Sequence, residues 1–354
     1  MSGSARESTP LLVISLGDPA GIGPELVLKA ARRWAQEGPA PARLAVTAPA
    51  SVLQAWSRRL GIPVDLREGD LDTVIPGGLT ALGWGVSAPA RAVEEQVLAS
   101  LEAELDGMDV ADLPPRPSRA GGAAAWLSLA RAVDLALQNP RRRALVTAPV
   151  CKEALALAGF SWPGHTEYLG WRCGVDDPLM WLDSPALSVG LVSNHDPLCD
   201  LPSRLTPERV ERKARLACRH LAARRPGERL GLLAVNPHAG DGGHLGSEER
   251  DWLGPLAESL RREGLPLDGP LPADAALARG RGRFLAMYHD QGLPVFKLVA
   301  GPQGVNTTLG LPITRCSPDH GTAFDISGRG LADEGSLMAA LAEALLQLRT
   351  AAGL

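Results

Sequence analysis

Seven histidines, at 165, 195, 220, 238, 244, 289 and 320, are the residues of this chain best suited to hold a divalent metal ion. Three neutral imidazoles and one open position suit a catalytic Zn²⁺ or a similar ion. His220 sits in an arginine-rich helical pattern and reads as an exposed bystander. Most of the others lie in loops rich in Gly, Asn or Asp. Spacing alone does not choose the three, since no HExxH pattern occurs, and a lone loop histidine is more often a hydrogen-bonding residue than a ligand. The densest chemistry lies in 288–330, YHDQGLPVFKLVAGPQGVNTTLGLPITRCSPDHGTAFDISGRG. This run joins His289, Asp290, Lys297, Asn306 and Arg315 to a glycine-punctuated loop. It is too polar, and too rich in Gly and Pro, to read as core. It suits a binding site for a charged small molecule. Lys297, Arg315, Asn306 and Thr166 have the chemistry to bind an anion, Arg as a fork and Lys as a point charge. The bland alternative for each charged residue is a surface ion pair. No GxxxxGK[ST], no strand-following GxGxxG and no GxSxG occurs, so neither a P-loop, nor the common dinucleotide fingerprint, nor a serine nucleophile elbow is expected.

These residues need a scaffold, and short apolar runs alternating with helical patterns supply one. LLVISL (11–16), RLAVTA (43–48), ALVTAP (144–149), LSVGLVS (187–193) and RLGLLAVN (229–236) read as strands. The last two are apolar enough to be covered on both faces. Helices are expected at Pro207–Ala223, Ser247–Glu263 and Leu337–Leu348, and the Pro- and Gly-rich stretch 107–121 reads as a surface loop or hinge. The alternation implies α/β units on a largely parallel sheet. Four polar motifs follow predicted strands: GDPAGIGPE (17–25), the stretch 147–170 that contains GHTE, NPHAGDGGHLGSEE (236–249) and the 288–330 run. Ligands bind beyond the carboxyl ends of parallel strands, so the motifs are expected to share one cleft.

Composition limits the alternatives. The chain has 354 residues, more than one hydrophobic core usually serves, and two lobes are expected. We place one lobe at about 1–145 plus about 300–354, and the other at about 146–299. A net charge of −4, without a long basic tract, argues against nucleic-acid binding. No apolar stretch approaches the roughly 20 residues of a membrane span. The apolar run at 11–16 is too short for a secretion signal. Five cysteines without a CxxC read as reduced thiols in the cytoplasm.

GHTE (164–167), NPHAG (236–240), YHDQGLP (288–294), GVNTTLGLP (304–312) and DHGTA (319–323), in this order, resemble the 4-hydroxythreonine-4-phosphate dehydrogenase (PdxA) family. The likeness runs from about Leu11 to about Leu348. It implies a two-lobed α/β/α fold like that of isocitrate and isopropylmalate dehydrogenases. It implies one divalent metal (Zn, Mg or Co) on His195, His238 and His289, and a phosphorylated substrate held by His165, Thr166, Lys297, Asn306 and Arg315. The segment DHGTAFDISGRG is similar to the adenosine-binding loop of isopropylmalate and isocitrate dehydrogenases, which places His320, Gly321 and Asp325 near NAD or NADP. The implied reaction oxidises 4-(phosphooxy)-L-threonine to 2-amino-3-oxo-4-(phosphooxy)butanoate. That product decarboxylates to 3-amino-2-oxopropyl phosphate in pyridoxal 5'-phosphate biosynthesis. Asp290 and Lys297 are the catalytic candidates. A homodimer with its active site at the interface is implied too. Trp162, Pro163 and Tyr168, which flank GHTE, are candidates to pack either against a partner or within one chain. Relatives with similar motifs oxidise phosphorylated threonate or erythronate, or dihydrodiols. A metal-dependent hydrolase is the alternative from another class.

Overall fold

The computed structural model describes residues 9–37, 42–84 and 92–352. The chain divides into two compact units, one of residues 1–174 with 312–354 and the other of residues 175–311. The sequence limits near 145 and 300 thus differ from the observed ones. The stretch 146–174 stays with the first unit because its helix Lys152–Leu157 packs on helix Arg119–Gln138. Gly122 makes that contact possible: a Cβ there would lie 1.9 Å from the carbonyl oxygen of Ala154.

In the first unit the strands are β1 (Leu11–Ser15), β2 (Arg43–Thr47), β3 (Leu66–Glu68), β4 (Leu79–Ala81), β5 (Arg143–Thr147) and β12 (Thr314–Pro318). They run β3-β4-β2-β1-β5-β12, all parallel. β1 is buried at every residue, as a strand with helices on both faces must be. Helix Arg119–Gln138 lies along β1, β2 and β5, and helix Gly335–Ala352 along β12 and β5. Ser118 starts the former by accepting the Gly121 amide at 3.0 Å, the usual N-cap geometry. The expected loop at 107–121 is therefore shorter than the sequence suggested. It holds a 3₁₀ turn at Val110–Asp112, and the long helix already begins at Arg119.

In the second unit the strands are β6 (Leu179–Asp183), β7 (Leu187–Leu191), β8 (Leu230–Leu233), β9 (Leu267–Leu271), β10 (Gly282–Ala286) and β11 (Val305–Leu309). Their order is β11-β6-β7-β10-β8-β9. β7, β10, β8 and β9 are parallel, whereas β6 is antiparallel to both β7 and β11. Alternate residues of β6 serve opposite cores. Trp181 packs with Ala214, Leu221 and Leu260 on one face, and Leu182 with Val189, Leu293 and Phe296 on the other. The period of two thus separates a helix layer on each side.

Much of 288–330 is regular, contrary to the reading of it as non-core. His289–Ala300 is a helix whose Leu293 and Phe296 are buried, and the run then supplies β11 and β12. Its apolar residues are few but correctly spaced, and its prolines do not break it. Among the described residues, no helix is long and apolar enough to cross a membrane. All five cysteines are free.

Candidate active site

The first unit gathers one set of the expected residues. Gly164 is the N-cap of helix His165–Cys173, and no side chain caps that end. Beside it, the buried Arg315 on β12 donates through Nη2 to Thr147 Oγ1 at 2.8 Å and to His165 Nδ1 at 3.3 Å. A guanidinium can only donate, so His165 Nδ1 accepts and the ring proton sits on Nε2. That Nε2 is closed off from solvent and has no hydrogen-bond partner. Burial, then the charges of Arg315 and Lys152, push the His165 pKa down to about 3. Burial likewise lowers Arg315 to about 10. The group is a neutral imidazole donor beside a buried cation at a helix N-terminus, a natural place for an anion. Thr166, buried, begins the same turn. Thr147 escaped the sequence reading because its hydroxyl sits within an apolar strand.

The loop after β12 is anchored to the GDPAGIG turn. Ile22 N donates to Thr322 O at 3.0 Å, and Ser327 Oγ donates to Ala20 O at 2.8 Å. Gly21 allows this approach, since a Cβ there would lie 2.9 Å from Thr322. His320, Gly321 and Asp325 are exposed along the loop. Asp18 in the same turn is fully buried, and burial raises its pKa to about 6 although the Ala20 amide opposes the shift.

The second unit holds the other set. The rings of His195, after β7, and His289, after β10, have centroids 5.9 Å apart. His289 Nδ1 contacts Asp290 Oδ1 at 2.6 Å. A carboxylate only accepts, so Nδ1 carries the proton and Nε2 is left with its lone pair, the arrangement of a carboxylate-oriented metal ligand. Gln291 ties this helix start to β8, donating to Ala234 O at 2.7 Å and accepting from Met287 N at 2.7 Å. His195 lies in a loop where Asp196 accepts from Ser193 Oγ at 2.8 Å and from Arg209 at 3.0 Å.

His238 follows β8 in a run with positive φ from His238 (52°) to Gly242 (66°). Three of those residues are not glycine, and such strain is concentrated where loops bind ligands. Glu249 braces the start of this loop, accepting from Val235 N at 2.7 Å and Asn236 N at 2.9 Å. Its place in the motif GSEE was visible in the sequence, but its role was not. Among the described residues, no three His, Cys, Asp or Glu side chains are grouped to hold a metal. His195 and His289 are brought together; His238 is not grouped with them. Lys297 is exposed on helix His289–Ala300, and Asn306 is half-buried on β11.

One expectation needs correction. His220 is half-buried, not exposed: it meets Trp181 edge-on with centroids 5.7 Å apart, and burial lowers its pKa to about 4. Of the two alternatives left open for the aromatics beside GHTE, Trp162 and Tyr168 show packing within the chain. Tyr168 is fully buried, and Trp162 contacts Phe160, Tyr168 and Trp171 with centroids 4.7–5.0 Å apart. Pro163 is exposed.

Residues 79–344 match the family described as "Pyridoxal phosphate biosynthetic protein PdxA". The chain is 39% identical over 357 residues to the 4-hydroxythreonine-4-phosphate dehydrogenase of Maricaulis maris (strain MCS10), covering 94% of this chain and 96% of that protein. It is 42% identical over 348 residues to the protein of that name from Methylorubrum populi (strain ATCC BAA-705 / NCIMB 13946 / BJ001), covering 95% and 94%. The crystal structure of 4-hydroxythreonine-4-phosphate dehydrogenase from Klebsiella pneumoniae superposes with a TM-score of 0.75 at 32% identity, covering 96% of this chain and 99% of that one. With this family match and near-full-length identity, the chain belongs to the PdxA family.

Proposed function

We propose that this chain is a metal-dependent NAD(P)-linked dehydrogenase that oxidises 4-(phosphooxy)-L-threonine, acting in the cytoplasm in pyridoxal 5'-phosphate biosynthesis. The observation that carries the reading is the 39–42% identity, over nearly the full length, to proteins of that name. His195, His238 and His289 would hold the divalent ion. The adjacent imidazoles and the Asp290 carboxylate on His289 support the fit for His195 and His289, and His238 enters through the family resemblance alone. His165, Thr166 and Arg315 would take the phosphate, with Lys297 and Asn306 as further substrate contacts. His320, Gly321 and Asp325 would contact the dinucleotide. Their exposure on a loop braced against residues 17–23 supports that role.

When bound, the metal supplies Lewis acidity toward the substrate C3 hydroxyl, and the dinucleotide supplies the hydride acceptor. The protein's part is alignment and proton handling. Neutral His165 donates from Nε2 to a phosphate oxygen, and Arg315 adds charge without titrating at neutral pH. Asp290 fixes the tautomer of His289 and is the candidate to take up the hydroxyl proton. The β-keto acid formed loses CO₂ to give 3-amino-2-oxopropyl phosphate. The test is NAD⁺ and NADP⁺ reduction by the purified enzyme with phosphorylated hydroxythreonine, threonate and erythronate. The first should give by far the largest kcat/KM; a preference for either acid would move the substrate assignment within the family.

A homodimer with residues of both chains in each active site belongs to the same reading. His165→Ala co-expressed in turn with His195→Ala, His238→Ala and His289→Ala should give at least one mixed dimer that recovers activity, because one of its two sites is then intact. An active species of one chain's mass in light scattering, or failure of every pair, would contradict the shared site.

A further inference from the structure

We propose that Lys152 is a further anion contact of the His165–Arg315 group, and that it selects a dianionic phosphate monoester over ligands of lower charge. The inference rests on the phosphate role given above to that group. Lys152 opens helix Lys152–Leu157, and its side chain is exposed. Its amine reaches back over the uncapped end of helix His165–Cys173. A Cβ built on Gly164 would lie 3.9 Å from Lys152 Nζ and 3.8 Å from its Cε. Those are ordinary contact distances, so the amine lies directly beside the backbone of the helix N-cap.

The electrostatics agree. Lys152 and Arg315 both act on His165, and both disfavour its protonation. Among the described residues, Lys152 has no carboxylate within ion-pair distance. The acidic group of this cluster is Glu167, whose Oε2 lies 3.2 Å from the same Gly164 position and which acts on Arg315. Two cations, an imidazole N–H and the first amides of a helix therefore converge with one carboxylate between them. Their mutual repulsion falls when a dianion enters. Arg315 is fixed by Thr147 and His165, whereas Lys152, on the solvent side, is free to close over the ligand as a point charge.

The experiment uses the full chain in its native assembly. Inorganic phosphate is titrated into wild type, Lys152→Gln and Lys152→Arg, with binding followed by calorimetry and the His165 ring by NMR. Loss of one charge-assisted contact predicts about tenfold weaker phosphate binding in Lys152→Gln, with near wild-type binding in Lys152→Arg. Removing the positive charge should also raise the His165 pKa, which an exposed residue with only a structural role would not do. KM for phosphorylated hydroxythreonine should rise about tenfold with kcat little changed, the signature of lost ground-state binding. Unchanged phosphate affinity in Lys152→Gln, or an unmoved His165 titration, overturns the proposal. If phosphate binding responds to Lys152 but the wild type does not oxidise phosphorylated hydroxythreonine, the anion contact stands and the dehydrogenase reading fails. If the wild type is active and Lys152→Gln binds phosphate normally, only the Lys152 assignment fails.

Discussion

His289→Ala and His195→Ala should each lower kcat/KM by at least about a thousandfold, because Lewis-acid stabilisation of developing charge is worth several kcal/mol. The two rings already face one another with centroids 5.9 Å apart, so either truncation leaves a single imidazole where two converge. Asp290→Asn keeps the side chain's shape but weakens its hold on His289 Nδ1. It should cost about 10–100-fold in metal affinity or activity, the usual effect of a group that orients a ligand. His220→Ala, which alters packing on Trp181, should leave turnover near wild type. Metal content by elemental analysis, measured alongside kinetics, separates the possibilities. Loss of activity with metal fully retained in His289→Ala would remove that residue from the ligand set. Full activity in chelated, metal-free enzyme would refute the Lewis-acid mechanism.

Arg172→Met should destabilise the fold by about 3–5 kcal/mol, the cost of stripping a partner from buried opposite charge. Arg172 is 4% exposed and pairs with Glu94 at 2.6 Å and with Asp134; those carboxylates are 1% and 10% exposed. Glu94 also accepts from Tyr168 OH at 2.7 Å and from Trp126 Nε1 at 3.3 Å. Burial already pushes Asp134 up, and the Arg172 charge offsets part of that shift. Without Arg172, the carboxylates face each other in a dry aromatic surround. They must then take up protons or open the packing. Arg172 and Tyr168 lie on the helix that begins at His165, so the loss should loosen the anion group as well. Equilibrium denaturation gives the number. A loss below about 1 kcal/mol would show that the network is solvated in solution. Repeating the measurement at lower pH adds a check: protonating the orphaned carboxylates should narrow the gap between variant and wild type.

The parts of this molecule that were legible in sequence are those governed by short-range rules. β1, β5 and β7 announced themselves as apolar runs because both of their faces are covered. The helix expected at Pro207–Ala223 is found at Pro207–Arg224, where the Thr206 side chain caps its start. The run 288–330 misled because its Gly and Pro density hid the helical i, i+3 spacing of Leu293 and Phe296. Proline at 294 sits within the helix without ending it. His220 misled because its charged neighbours suggested solvent, while the ring itself turns inward onto Trp181.

The candidate site was legible as a set of residue types, but not as geometry. Arg315 and His165 are 150 positions apart, and their contact depends on β12 lying beside β5. No local pattern encodes that adjacency. The same holds for the Glu94–Arg172 pair, 78 positions apart. The roles of Glu249 and Gln291 also depend on which strand ends lie next to each other, since both side chains work by gripping backbone after β8.

The proposed reaction is oxidation at C3 followed by loss of CO₂, on a phosphorylated amino acid held by these residues. Its most direct test is product analysis of a single reaction, with purified metal-loaded enzyme, 4-(phosphooxy)-L-threonine and NAD⁺ or NADP⁺. One reduced dinucleotide is expected for each CO₂ released, with 3-amino-2-oxopropyl phosphate as the organic product. Release of inorganic phosphate without dinucleotide reduction would contradict it and point to metal-dependent hydrolysis.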